Sequence, residues 1–122
     1  MMRLRQIKKR DGTTVAFDEN RITKAVLKAM KAAGEGTEVG AKRVSRAVVK
    51  DLQTQAKLVG KTFLPTVEGV QDVVEKQLIL HNFVKVSKAY ILYRERRSEL
   101  RQQIGEVPKE VKELVIESKK YF

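Results

Sequence analysis

Apolar residues recur with the spacing of an amphipathic helix in four stretches of the chain. In the first stretch, residues 19–33, they follow intervals of three and four: Ile22, Ala25, Val26, Ala29, Met30 and Ala33. Similar stripes run over about residues 38–58, 67–80 and 83–103. Glycines at 34, 36 and 60 and the His81-Asn82 pair separate the stretches, as helix stop signals do. The pattern predicts four helices that share one core.

The N-terminal residues follow a different pattern, which is typical of a β-hairpin. The basic run Lys8-Lys9-Arg10 leads directly into Asp11-Gly12, a dipeptide that tolerates the positive φ of a tight hairpin turn. β-branched and aromatic residues follow over 13–17. Residues 62–64 lie between a glycine and a proline and are too few for a helix, so they predict a third short strand that joins the hairpin.

The end of the chain restarts a helical pattern after Gly105 and Pro108, in the segment PKEVKELVIESKKYF. Its apolar face has no partner in the elements predicted before it. The fold class we expect is α+β, a four-helix bundle capped by a small three-stranded sheet, with a C-terminal helical extension. We expect one domain over residues 1–103, followed at 104–122 by a linker and the start of another region.

The charge balance points to an anionic ligand. Lys and Arg number 26 against 15 Asp and Glu, which gives a net charge of +11, and such a surface concentrates phosphate-bearing molecules around it. No apolar run approaches the ~18–20 residues of a membrane span, no secretory signal is visible and cysteine is absent. We therefore expect a soluble, cytoplasmic protein without a membrane partner.

The sequence offers no catalytic constellation. His81 is the single histidine, no carboxylate pair has an apolar context, and the GxxxxGK[ST] phosphate-binding loop is absent. No His, Asp or Glu cluster has the spacing of metal ligands. We predict no catalytic residue and no metal site, and we expect the chain not to be an enzyme by itself.

A basic nucleic-acid-binding or transcription-regulating helical module is the alternative that the charge leaves open. The arginines of the last predicted helix, Arg94, Arg96, Arg97 and Arg101, alternate with Glu95 and Glu99. This spacing is more typical of a solvated helix face with i,i+4 ion pairs than of a groove-reading element, and no helix-turn-helix spacing is present. Nucleic acid is therefore not the favoured partner.

The cations of the hairpin suggest a more specific ligand. Along a strand, Lys8 and Arg10 point one way and Lys9 the other, so at least one cation is directed toward the bundle. A nucleoside triphosphate held between the hairpin and the helices would place phosphates on Lys9 and Arg10, with further cations from Arg21 and the fourth helix. In the alternative, the three residues are ordinary edge-strand charges that deter aggregation.

Three segments, KKRDGTTVAFDENRITKAVLKA, PTVEGVQDVVEKQLI and VSKAYILYRERR, closely resemble the ATP-cone. This is the allosteric nucleotide-binding module at the N-terminus of many ribonucleotide reductases and in their transcriptional repressor. The resemblance covers about residues 4–100 and implies a four-helix bundle capped by a three-stranded sheet. It also implies that ATP or dATP, accompanied by Mg²⁺, switches overall reductase activity through a conformational or oligomeric change.

The resemblance implies phosphate contacts at Lys9 and Arg10, a basic residue near the phosphates at Arg21, and base or ribose contacts on the third helix. The expected nucleotide-binding residues are Lys8, Lys9, Arg10, Asp11, Gly12, Asp18, Arg21, Thr66, Val67, Gln71, Lys88 and Arg94. Two positions depart from the family pattern: Val15 replaces a glutamate found in some reductases, and Gln71 stands where an acidic residue or histidine is frequent.

The C-terminal segment VPKEVKELVIESKKYF resembles the junction before the catalytic barrel of adenosylcobalamin-dependent or anaerobic ribonucleotide reductases. The resemblance thus implies a regulatory domain over 1–103, with the start of a catalytic region within 104–122. The implied partners are a reductase catalytic region, in cis or in trans, and a second cone in a homo-oligomer. The repressor is disfavoured because its zinc ribbon needs cysteines. A degenerate cone that serves only as an interaction domain is a further alternative.

Overall fold

The structure, a computed structural model, describes residues 4–60 and 62–104, which form a β-hairpin followed by four helices. The strands are β1 (Gln6–Lys8) and β2 (Thr14–Ala16); the helices are α1 (Glu19–Ala33), α2 (Glu38–Val59), α3 (Val67–Leu80) and α4 (Val84–Ile104). Helices α1 and α3 each pack against both α2 and α4, so the four helices form a closed bundle in chain order. This arrangement confirms the α+β class and the four predicted helices.

Local signals fix the ends of the helices. Asp18 accepts a hydrogen bond from the backbone N–H of Asn20 at 2.9 Å and caps α1, which Gly34 ends in the left-handed conformation. Threonines 37 and 66 cap α2 and α3 in the same way. Asn82, with φ of 65°, turns the chain between α3 and α4. The helices therefore end at the positions that the sequence predicted.

The core is built mainly from valine and from a few larger side chains. Each helix contributes fully buried residues, and the hairpin adds Ile7; the set includes Ile22, Val26, Val44, Val48, Leu52, Val67, Val70, Val74, Leu78, Val86 and Tyr90. Ile7 pairs with Val15 across the hairpin and is completely buried. One face of the hairpin is therefore fastened to the bundle by the same hydrophobic contacts that hold the helices together.

The sheet has two strands within the described part of the chain, so the expected third strand is not confirmed. Residues 62–64 form no strand. The hairpin instead meets the chain just after them, where the N–H of Lys8 donates to the carbonyl of Pro65 at 2.9 Å and Lys8 forms an isolated parallel bridge with Thr66. Pro65 has no N–H to donate and Thr66 already begins the cap of α3, so the ladder cannot extend.

The expected helical extension after Ile104 lies outside the described residues, and the domain boundary near 103 stays a prediction. Within the described ranges, no helix is both long and apolar enough to cross a bilayer.

Candidate anion-binding site

The loop of the hairpin folds inward against α3. The N–H of Lys9 donates to the carbonyl of Thr13 at 2.8 Å, which leaves residues 10–12 as the loop, and Gly12 adopts φ of 89° there. From this loop the Arg10 side chain, 26% exposed, reaches two residues of α3. Its Nε lies 2.6 Å from Glu68 Oε1, and a terminal nitrogen donates to Gln71 Oε1 at 3.3 Å.

The alternation expected along the first strand holds only as far as Lys9. Ile7 faces the core, Lys8 is exposed and Lys9 is half-buried, as strand geometry requires. Arg10 does not continue the alternation because it belongs to the loop, whose backbone is no longer extended. Its contacts on α3 show that Arg10 is not an ordinary edge-strand charge.

A stripe of arginines on α4 faces the same region. Arg94, Arg97 and Arg101 follow intervals of three and four and therefore share one helix face, here called the arginine stripe. Arg97 is only 8% exposed, and its guanidinium lies 5.4 Å from the Tyr93 ring centroid. The interpretation of these residues as a solvated helix face is wrong, whereas Arg96 and the two nearby glutamates are indeed exposed.

Acidic residues of α3 form ion pairs with Arg94, the first residue of the arginine stripe. Arg94 donates to Asp72 and Glu75 at 2.8 Å each and to the backbone carbonyl of Glu68 at 3.4 Å. Burial disfavours the charged form of Arg94, but the hydrogen bonds to Asp72 and Glu75 outweigh it and raise the pKa. Arg94 thereby ties the middle of α4 to the first turns of α3.

The other cations of the site repel one another. Burial lowers the pKa of Arg97 and of Arg101, and the positive charge of Arg10 lowers both further. Arg97 and Arg101 nevertheless remain protonated at neutral pH, because a guanidinium does not lose its proton in proteins. The hairpin loop and the arginine stripe therefore share one region of positive potential, which an anion would stabilise.

Tyr90 lies under this region and is 1% exposed. Its hydroxyl has no hydrogen-bond partner among residues 4–60 and 62–104. Burial raises the pKa of Tyr90 far above its usual value, while Arg94, Arg97 and Arg10 oppose that shift, so the hydroxyl lies within the field of the three arginines.

Several predicted residues shape the backbone around the site. Asp11 accepts hydrogen bonds from the N–H and hydroxyl of Thr13, which lower its pKa, and it stabilises the hairpin loop together with Gly12. Asp18 caps α1 and lies 3.9 Å from Arg21 Nε. On α3, Thr66 is the cap, and Val67 is fully buried.

Lys88 is not brought to the arginine stripe. It is exposed on α4 and lies nine positions before Arg97, which corresponds to a rotation of about 180° around the helix axis. Conversely, sequence reasoning did not assign Glu68, Asp72, Glu75, Arg97 or Arg101 to the site. Their signal was present as two stripes of opposite charge at helical spacing, one on each of two neighbouring helices.

Carboxylates of α3 do not form a metal site in the described part of the chain. No group of three or more His, Asp or Glu residues there could hold a metal ion. Asp72 and Glu75 instead accept hydrogen bonds from Arg94.

Comparison with known proteins identifies the family. A model of the ATP cone domain matches residues 5–99. The chain is 38% identical over 105 residues to a vitamin B12-dependent ribonucleoside-diphosphate reductase of Thermoplasma acidophilum. The aligned residues cover 82% of this chain and 13% of that protein. It is 30% identical over 109 residues to an anaerobic ribonucleoside-triphosphate reductase of Salmonella typhimurium, covering 89% and 14% respectively. The chain thus spans about one seventh of the length of these relatives.

Proposed function

The chain belongs to the ATP-cone family, and from this premise we propose that it binds ATP or dATP between the hairpin loop and helices α3 and α4 as an allosteric effector. The observation that carries the proposal is the inward position of Arg10 opposite the arginine stripe. A triphosphate placed there would neutralise cations that otherwise repel one another. Charge-assisted hydrogen bonds to guanidinium groups are among the strongest polar contacts in proteins.

In this proposal Lys9 and Arg10 contact the phosphates, and the arginine stripe supplies further positive charge. Gln71, buried on α3 and already within reach of Arg10, is the proposed contact for the base or ribose. The other sequence-derived contacts stay predictions: Lys8, Asp11, Gly12, Asp18, Arg21, Thr66, Val67 and Lys88.

Magnesium would arrive with the nucleotide. The described residues supply no dedicated set of ligands, so phosphate oxygens and water would hold the ion, as is common for Mg²⁺ bound with nucleotides. Its contribution would be to neutralise part of the phosphate charge.

The regulated partner is proposed to be a ribonucleotide reductase catalytic region, in cis or in trans, because the relatives are such enzymes. ATP and dATP would then shift activity only through different affinities for two arrangements of the domain. We further propose that the two arrangements differ in an interface between two cones. The cytoplasmic location expected from the sequence stays a prediction.

Isothermal titration calorimetry with ATP and with dATP tests the proposal. We compare the wild type with the Lys9→Ala/Arg10→Ala double variant. The matched control is Arg43→Ala/Lys50→Ala, which removes the same charges from exposed positions on α2. Loss of two charge-assisted contacts of about 1.5 kcal/mol each would weaken binding roughly 100-fold, with the control nearly unchanged.

Two results would reject nucleotide binding at this site: no heat with either nucleotide from a folded wild type, or undiminished binding by the double variant. The nucleic-acid alternative gains support only from duplex or single-strand binding that falls steeply with salt and is not displaced by ATP.

A further inference from the structure

Glu68 places a carboxylate where the proposed function requires phosphate. It is the second residue of α3, in the first turn of the helix, where free N–H groups and the helix dipole favour negative charge. Its Oε1 lies 2.6 Å from Arg10 Nε. Burial and the neighbouring arginines lower the pKa of Arg101, and the charge of Glu68 offsets part of that lowering. One acidic side chain thus sits between the hairpin loop and the arginine stripe.

We propose that Glu68 competes with the phosphates of the nucleotide for Arg10 and thereby sets how tightly the site holds a phosphorylated ligand. This inference rests on the proposed function, since it concerns the affinity of the same site. Nucleotide binding would exchange the Arg10–Glu68 pair for an Arg10–phosphate pair. No covalent step is involved.

The geometry of Arg10 explains why the two anions compete. A guanidinium binds a phosphate best through two parallel N–H groups. In the structure Nε pairs with Glu68 and a terminal nitrogen donates to Gln71, so both of these donors already have acceptors. A phosphate that binds along this Nε edge must displace the carboxylate, and one that binds the remaining N–H groups of Arg10 lies close to the like charge of Glu68.

The pair is suited to exchange because it is weak. The Glu68 side chain is 52% exposed, and ion pairs open to water contribute little to stability. A triphosphate carries several negative charges and can contact the arginine stripe at the same time. A ligand with fewer phosphates makes fewer contacts with the arginines. Its binding therefore compensates less for loss of the Arg10–Glu68 pair and for repulsion from Glu68.

Glu68→Gln isolates the charge, because glutamine keeps the length of the side chain and an oxygen that can accept from Arg10. The matched control is Glu38→Gln. Glu38 is also exposed in the first turn of a helix, α2, and it pairs with Lys42 at 3.6 Å, away from the hairpin loop. Both variants lose one negative charge, so a general change in net charge affects them equally.

The experiment measures ATP and ADP affinity by calorimetry for the wild type and both variants, with circular dichroism to verify folding. We expect Glu68→Gln to bind ATP about threefold to fivefold more tightly than the wild type, with a smaller gain for ADP. Glu38→Gln is expected to stay within about twofold of the wild type for both ligands.

The outcomes separate this inference from the function on which it rests. If the folded wild type binds no nucleotide, the proposed function fails first. If the wild type binds ATP but Glu68→Gln binds equally, the competition is disproved and nucleotide binding stands. Weaker binding by Glu68→Gln would also overturn the inference, because it would make Glu68 a residue that positions Arg10 for the ligand.

Discussion

Replacing Tyr90 with phenylalanine is expected to stabilise the protein, which is unusual for a change in a hydrophobic core. The ring of Tyr90 is buried among core residues, and its hydroxyl has no acceptor or donor within the described ranges. Phenylalanine keeps the ring and its packing. The substitution therefore removes a desolvated polar group and little else.

The size of the effect follows from the cost of leaving a buried polar group without a partner, about 1–3 kcal/mol. Part of this is offset, because a small void replaces the oxygen in the variant. We expect a net gain of about 1 kcal/mol in the free energy of unfolding. In a domain of this size that corresponds to roughly 4–8 °C in the thermal midpoint.

Urea unfolding in the absence of nucleotide measures this gain, which should appear as a higher midpoint at unchanged slope. Tyr93→Phe is the control, because the Tyr93 hydroxyl accepts a hydrogen bond from Arg97 at 3.5 Å. That variant is expected to be unchanged or destabilised by up to about 1 kcal/mol. A urea midpoint of Tyr90→Phe at or below that of the wild type would refute the reasoning.

Two further predictions concern stability. Burial opposes the ionisation of Asp51, but hydrogen bonds from Lys76 and from two glutamines outweigh it and lower the pKa. The ionised carboxylate therefore contributes stability above its ordinary pKa near 4 and loses it as pH falls through the lowered value, so the advantage of the wild type over Asp51→Asn should shrink between pH 7 and pH 3. An advantage in urea unfolding that does not change with pH would contradict this. Gly36→Ala should cost more than about 1 kcal/mol, because φ is 105° and the new Cβ would lie 2.5 Å from Met30 Sδ. Gly34→Ala, with no atom within 4 Å of its Cβ, is the milder control, and equal thermal midpoints would contradict the role of Met30.

The helices could be predicted because their determinants are local. Apolar spacing selects the buried face, and caps such as Asp18 and Thr66 act within three residues of their own position. The third strand depended on a non-local choice. An extended segment beside the hairpin can form a strand of several residues or a single β-bridge. Here Pro65 lies next to Lys8, and the pairing is limited to one bridge.

The site was predictable only in part, for the same reason. The basic hairpin loop is visible as a run of residues, but the contact of Arg10 with Gln71 joins residues 61 positions apart. A helical projection of α4 shows arginines on more than one side. Burial of Tyr90 and the acidic residues of the neighbouring helix decide which side faces α3. As a result Arg97 is buried and Lys88 is exposed.

Ion pairs with Asp72 and Glu75 fasten Arg94, in the middle of α4, to α3, so Arg94 can serve as a fulcrum for the last turns of the helix. Arg94 lies ten residues before the end of the helix, so the helix end lies about 15 Å beyond this fulcrum. A tilt of about 10° about the fulcrum would displace the far end by about 2.6 Å. A change of ionic partners at Arg94 would thus be amplified along the helix toward Ile104.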